Sequence, residues 1–458
     1  MRKYLASSIG LACAAVLTLP CVFPAAAAGP GVRGPSSAAV PGSTQSFPLV
    51  PLKRNRTTGT VSEEGLTPRT VRSFSLVGVV WDDPGTELHG SVQVRTRAAG
   101  TNRWSGWQDL ETHQSGHGPD PATAEGRSER MRGSTDPLWV GDSDGVEVRV
   151  RPEEAHAGET RAPALPNGLR VDLVDPGAET QADAPRRGAY TGALEGMPDA
   201  DAGGIAQGAG TAASAVEGAL ASLGGPVIPA VPKETARETS ETRREEALGA
   251  GPGSMTPYTA PRPTIVTRAG WGADESLREP DFLYTDSVKV AFVHHTATGN
   301  SYDCAEAPSV IRGIYRYHVV SNGWRDIGYN FLVDKCGNIY EGRAGGVEKP
   351  VMGAHTLGFN SNSTGVAVIG SFSGTQPSAA SVTALAQLTA WKLGLHGMDP
   401  RGTTYLESAG GNLFPKGENV QLNVISGHRD GYATDCPGKQ LYGKLGSVRS
   451  SAARLQGR

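Results

Sequence analysis

The stretch VKVAFVHHTAT, residues 288–298, runs through valine, alanine and phenylalanine before it meets two adjacent histidines. A run so rich in branched and aromatic residues reads as a strand buried on both faces. Outward from it, APSVIRGIYRYHVV (residues 307–320) carries Val310, Ile314 and Tyr317 at helical spacing, so one face should pack on a sheet. YNFLVDKCGNIYEG (329–342) reads as two strands around a turn at 335–338, and GVAVIGSF (365–372) as a further strand. Ser378 is placed to cap a helix through Leu385, Leu388, Trp391 and Leu395 that stops at Gly397 before Pro400. NVISGHRD (423–430) begins as a strand, and LYGKLGSVRSSAARL (441–455) reads as a last helix. Strands alternating with helices predict an α/β domain over residues 263–458, with a mostly parallel central sheet flanked by helices.

Three other regions precede it. Residues 45–176 offer short alternating runs such as SVQVRTRA (91–98), VEVRV (146–150) and LRVDLV (169–174), separated by turn clusters such as DDPG (82–85) and GDSDG (141–145). Period-two alternation predicts an all-β, sandwich-like domain. Its Trp81, Trp104, Trp107 and Trp139 serve either as core or as a sugar-stacking surface, and Asp142 and Asp144 read as a solvated turn, since no glutamate follows at calcium-loop spacing. Residues 177–262 are rich in Ala, Gly, Pro and charge, with too little branched and aromatic bulk to offset chain entropy, so a disordered linker is expected, with at most a short helix at 212–223. Residues 1–28 read as a signal peptide: Arg2 and Lys3, an apolar run, then small residues around Ala26 and Ala28. Pro20 and Pro24 break that run, so no stable membrane insertion is expected, and Pro20 also disfavours lipid attachment at Cys21. The expected location is secreted, extracellular or associated with the cell wall.

With 43 basic against 46 acidic residues and a net charge of −3, nothing pulls the chain toward nucleic acid. Loss of the signal peptide would leave Cys304, Cys336 and Cys436 in an oxidising compartment. An odd number implies one pair and one thiol with another occupation. His294 and His295 end one expected strand, His428 follows another, and Cys436 lies on the loop after it. A catalytic zinc site needs three such ligands and an open position. Neighbours on a strand point to opposite faces, so one histidine of the pair faces the site and the other goes to the core or stands behind the ligands. The residues alone leave open a buried free thiol among hydrogen-bonded histidines. A blue-copper site would want an axial methionine, and none follows Cys436.

The motifs RAGWGADESLR (268–278), FVHHTAT (292–298), WRDIGYNFLVDKCGNIYEGR (324–343), GAHTLGFN (353–360), GVAVIGSF and GHRDGYATDCPG (427–438), in this order, resemble the peptidoglycan recognition protein and type 2 N-acetylmuramoyl-L-alanine amidase superfamily, in its secreted actinobacterial form. The resemblance covers residues 264–458; the β domain resembles the N-terminal extension of such members, which brings no function with it. The resemblance implies one Zn2+ per chain on His294, His428 and Cys436, with Tyr329 and Thr434 as catalytic groups. It implies substrate contacts at His355, which has loop-holding as an alternative role, and at Arg343. His318 and His396 match no functional position. Asp430 and Asp435 are candidates to accept from the ligating rings, and no glutamate is evident as general base. The implied reaction is hydrolysis of the amide between N-acetylmuramic acid and L-alanine in peptidoglycan, by a monomer. The competing implication is a non-catalytic recognition protein, a form that typically loses the cysteine ligand. The chain reads EGRAGG where members that prefer diaminopimelate stems often have Gly-Trp after EGR, so Ala344 and Gly345 leave stem preference open. With Cys436 taken as a ligand, Cys304 and Cys336 remain and are expected to form a disulfide.

Overall fold

The computed structural model describes residues 42–54, 61–112, 116–153, 163–177, 225–235 and 259–458. The signal peptide expected at 1–28 and the short helix at 212–223 lie outside them.

The N-terminal region is a single eight-stranded sheet. Its strands are β1 (Ser43–Pro48), β2 (Val50–Arg54), β3 (Val61–Trp81), β4 (Gly90–Ala98), β5 (Gln108–Leu110), β6 (Gly133–Ser134), β7 (Leu138–Pro152) and β8 (Arg170–Asp175). They run in the order β1-β8-β3-β7-β4-β5, with β2 and β6 also on β3, and all pairings are antiparallel. Hydrogen bonding links all eight strands through β3, which is 21 residues long and shifts register against β7 at three places. Such irregularities let one ladder bend. The alternating valines meet inside: Val77, Val79, Val92, Val94, Val146, Val148 and Val150 are buried together. The tryptophans divide. Trp81 and Trp139 are core, whereas Trp104 and Trp107 are half-buried beneath the guanidinium groups of Arg95 and Arg149, the latter 3.9 Å from the Trp107 ring centre.

The C-terminal region is built on a seven-stranded sheet of order β17-β11-β14-β12-β13-β10-β9. Its members are β9 (Val227–Ile228), β10 (Ile265–Val266), β11 (Val290–His295), β12 (Phe331–Val333), β13 (Ile339–Glu341), β14 (Ser363–Val368) and β17 (Ile425–Gly427); β15 (Thr403–Glu407) and β16 (Asn419–Asn423) form a separate hairpin. Neighbours are parallel at β17/β11, β11/β14, β14/β12 and β13/β10, and antiparallel at β12/β13 and β10/β9. Every residue of β11 is buried, as its unbroken apolar run requires. Helix α1 (Ala307–Arg316) buries Val310, Ile311 and Ile314 against Leu332 and Ala367. Helix α2 (Ala379–Gly394) starts where the Ser378 hydroxyl accepts from the Ser381 amide at 3.0 Å, and its Leu385, Leu388 and Trp391 pack in a second cluster with Val293 and Val366. The chain turns away at Gly397, whose φ of 72° suits glycine. Two short helices, α3 (Lys439–Tyr442) and α4 (Leu445–Gln456), follow β17. Among the described residues no helix is long and apolar enough to cross a membrane.

Part of the stretch expected as linker is ordered. Within 177–262, the pair Val227 and Ile228 forms β9 on the open edge of β10, and Ile228 enters the core. Two branched residues between prolines suffice to cover a short edge. Residues 225–235 therefore belong to the α/β domain.

The β sheet and the α/β domain share a core: Leu76, Val80 and Val174 lie in one cluster with Val310, Ile311 and Ile314 of α1. The Tyr317 ring lies so close over β3 that a Cβ on Gly78 would meet its hydroxyl at 2.2 Å, and that hydroxyl donates to the Thr135 carbonyl at 3.1 Å. Glycine at 78 is what admits this approach.

Cys304 and Cys336 are bonded, with Cα atoms 6.2 Å apart, and tie the 3₁₀ turn before α1 to the β12–β13 hairpin. The bond closes a loop of sequence separation 32, for which the chain-entropy account gives about 3–4 kcal/mol. Cys304→Ser with Cys336→Ser is expected to lower the unfolding free energy of the α/β domain by about that amount, read by denaturant unfolding. An unchanged midpoint would contradict it.

Candidate metal centre

Parallel strands bring their C-terminal ends to one edge of a sheet. β11 ends on His294 and His295; β17, beside it and parallel, leads into His428, which opens a 3₁₀ turn (His428–Asp430). Asp430 fixes that turn: one oxygen accepts from the Gly427 amide at 2.8 Å and the other from the Tyr442 hydroxyl at 2.6 Å. The chain then returns Cys436 beneath β11, where the His295 amide donates to its sulfur at 3.4 Å.

His294, His428 and Cys436 thus converge, and a fourth residue joins them. His117, from the β5–β6 connection, lies with them so that one donor atom from each is within 4.8 Å of the others, and all four residues are buried. His294 Nδ1 is 3.3 Å from His117 Nε2 and 3.7 Å from Cys436 Sγ; His117 Nε2 is 3.8 Å from that sulfur. A tetrahedral zinc ion with ordinary bond lengths separates nitrogen donors by about 3.3–3.4 Å and nitrogen from sulfur by about 3.5–3.6 Å. The donor set fits such an ion.

Its polar atoms argue the same way. His428 Nδ1 is buried without a hydrogen-bond partner, while its Nε2 donates to the Gly116 carbonyl at 3.0 Å. Burial, followed by the neighbouring imidazoles, holds His117 and His294 well below the usual histidine range; burial and His355 bring His428 down to about 3. Neutral imidazole is the form that binds a cation. Burial pushes the Cys436 thiol well up, so its thiolate needs a positive charge beside it.

The other sequence-derived site residues fall around this set. Tyr329 is buried with its ring centre 5.5 Å from that of His294, and its hydroxyl lies 3.5 Å from the His295 carbonyl. Thr434 is half-buried and accepts from the Cys436 amide at 3.2 Å. His355 is fully buried; its Nδ1 lies 3.2 Å from His294 Nε2, and the Thr356 hydroxyl is 3.3 Å from the same nitrogen. His355 therefore steadies the second nitrogen of His294. Arg343 is buried and holds both oxygens of Glu125, at 2.9 and 3.0 Å. Asp430 is engaged in its turn and Asp435 is exposed and paired with Arg429, so neither meets a ligating ring. The Gly116 carbonyl and His355 stand in those places. His318 is core, accepting from the Gly328 amide, and His396 lies 3.4 Å from the Ser287 hydroxyl. A cavity of about 350 Å3 opens beside the thiol, lined by Glu111, Asp136, His295, Thr434 and Cys436.

His117 was not legible in the sequence. It sits in SGHGPD, a turn-like stretch far from the α/β domain, and nothing in its spacing points to His294.

Residues 284–439 match the family described as N-acetylmuramoyl-L-alanine amidase, and residues 32–167 match one described as Rv3811 N-terminal galactose-binding domain-like. Peptidoglycan-recognition protein SC2 of Drosophila simulans is 29% identical over 182 residues, covering 40% of this chain and 84% of that protein. The human N-acetylmuramoyl-L-alanine amidase is 31% identical over 185 residues, covering 40% of this chain and 28% of that one. Among solved structures, peptidoglycan recognition protein LE in complex with tracheal cytotoxin is 31% identical, covering 40% of this chain and 92% of that one, with a TM-score of 0.32.

Metal analysis of the purified chain is expected to find one zinc per molecule. Cys436→Ala should weaken zinc binding at least about 100-fold, since even partners behind the ligands are worth 10–100-fold, and zinc should raise the thermal midpoint of the parent chain alone. Equal zinc content in both proteins would overturn the ligand assignment.

Proposed function

Because the C-terminal domain of the chain belongs to the peptidoglycan recognition protein and type 2 amidase superfamily, we propose that it is a zinc-dependent N-acetylmuramoyl-L-alanine amidase, exported by the segment at 1–28 and acting on peptidoglycan outside the cell. The observation that carries this reading is Cys436, retained and buried at one point with His294 and His428. A zinc ion bound there supplies Lewis acidity, activating water and polarising an amide carbonyl.

The chain's own residues do the rest. His355 Nδ1 and the Thr356 hydroxyl meet the outer nitrogen of His294 and fix its ring. Burial holds the Tyr329 phenol well above its usual range, so it stays protonated and donates a hydrogen bond to the oxyanion that forms as the amide carbonyl is attacked. Thr434, beside the cavity at Cys436, is the second donor. Arg343 is the fork for a carboxylate of the stem peptide once Glu125, which holds both its arms, gives way. Binding without hydrolysis is the second reading, and the fourth donor, His117, is what favours it, since a site closed by four protein ligands keeps no position for water.

The test is incubation of the zinc-loaded chain with peptidoglycan and mass spectrometry of the soluble products. Stem peptides with a free N-terminal L-alanine are expected, and none from Cys436→Ala. Release that survives both this substitution and chelation would remove the reading. Tyr329→Phe should slow turnover by about 10²–10³-fold with zinc content unchanged; a rate within twofold of the parent would exclude its role as donor.

A further inference from the structure

Residues 116–125 belong to the β domain by sequence, yet Gly116, Asp120 and Glu125 spend polar atoms on the α/β domain. The Gly116 carbonyl accepts from His428 Nε2 at 3.0 Å and from the Leu357 amide at 2.9 Å. One oxygen of Asp120 accepts from the Gly358 amide at 2.7 Å and from Asn360 Nδ2 at 2.8 Å. Glu125 takes both forks of Arg343 and, at 3.0 Å, the Arg325 amide. His117, Asp120 and Glu125 are each more than nine-tenths buried. Leu357, Gly358 and Asn360 lie in GAHTLGFN and Arg343 in EGR, the stretches in which the family resemblance implies substrate contacts.

His117 itself is set as a ligand is set. Its Nε2 faces His294 and Cys436, and its Nδ1 faces the buried carboxylate of Asp136 at 3.7 Å, with neither Nδ1 nor the facing oxygen in a hydrogen bond. An imidazole with one nitrogen toward a cation and the other toward a carboxylate is the usual arrangement behind a metal ligand. We infer that His117 is a fourth metal ligand and that residues 116–125 are an intramolecular plug, so that the chain is held latent until this segment is displaced.

The physical logic is competition for the same groups. A catalytic zinc site keeps one position open, and a fourth protein donor fills it. Glu125 sits on Arg343 through two charge-assisted hydrogen bonds, the pairing that a peptide carboxylate would make. Substrate must displace both. Its apparent affinity is then lowered by the fraction of molecules in which the segment has lifted away. The shared core of β3 and α1 keeps the segment near even when lifted, so reclosing is intramolecular and fast relative to capture of another molecule. Latency rests on the amidase reading, whereas ligation by His117 stands apart from it.

The experiment compares the parent chain, His117→Ala, and Asp120→Asn combined with Glu125→Gln, which loosens the segment and keeps the histidine. Each is loaded with cobalt(II), whose visible absorption reports coordination, and with zinc for affinity, calorimetric binding of an N-acetylmuramoyl peptide, and hydrolysis of peptidoglycan. In His117→Ala the cobalt spectrum should change and revert on adding imidazole, and metal affinity should fall about 10–100-fold. The muramoyl peptide should bind about 10-fold tighter, which places the lifted fraction of the parent near one in ten, and hydrolysis should rise at least as much. The double variant should keep the parent's cobalt spectrum in the closed fraction and move binding and rate in the same direction. A parent-like spectrum and affinity in His117→Ala would overturn ligation. Hydrolysis by His117→Ala slower than the parent at equal metal content, or unchanged peptide binding in both variants, would overturn the plug while leaving the amidase reading intact. Tighter peptide binding with no hydrolysis by any protein would support the plug and remove the amidase reading instead.

Discussion

The arrangement around which the domain is organised is a buried thiol among imidazoles, a donor set that suits a cation. Cys436 has lost its water, its thiolate is disfavoured by that loss, and the groups facing it are three histidines that burial holds neutral. Unmetallated, such a cluster has buried nitrogen atoms with no partner, as at His428 Nδ1, and each is costly. A divalent ion at that point would meet His428 Nδ1 together with the facing atoms of His117, His294 and Cys436. The strand order, the turn held by Asp430 and the packing of His355 behind His294 can all be understood as ways of holding these atoms at one point.

The sheet does most of this positioning. β11 lies between two parallel neighbours, so its end is placed by hydrogen bonds on both sides, and β17 delivers His428 to the same edge. The two helical faces then lock the sheet: α1 on one side, shared with the β domain, and α2 on the other. Because the β domain packs on α1 as core, its β5–β6 connection reaches the metal centre from a fixed base. Gly78 records how close the two domains lie, since nothing larger fits beneath Tyr317.

Burial also sorts the polar residues by role. Arg343 and Glu125 are both removed from water and both satisfied, a pairing tolerable only because each charge meets the other in two hydrogen bonds. Arg268 is held in the same manner by Asp326 and Glu275. These pairs define one geometry among the segments that surround the centre, and the Arg343 pair does so across the two domains.

Local patterns in the sequence were enough for the elements of the α/β domain. The apolar run before His294, the cap at Ser378, the glycine at 397 and the hairpin around Cys336 each act within a few residues, through periodicity, hydrogen bonding or backbone freedom. The convergence of His294, His428 and Cys436 was legible because the motifs around them resemble a known family, and the pairing of Cys304 with Cys336 followed from what remained. Only the tertiary structure decided the rest. That β3 joins all the strands of the β domain, that Val227 and Ile228 leave the linker for a sheet edge, that Asp430 serves a turn rather than a ligating ring, and above all that His117 faces His294 and Cys436, depend on contacts between residues far apart in the chain. Such contacts leave no period and no spacing in a single sequence, since what places His117 is the packing of one whole domain on another.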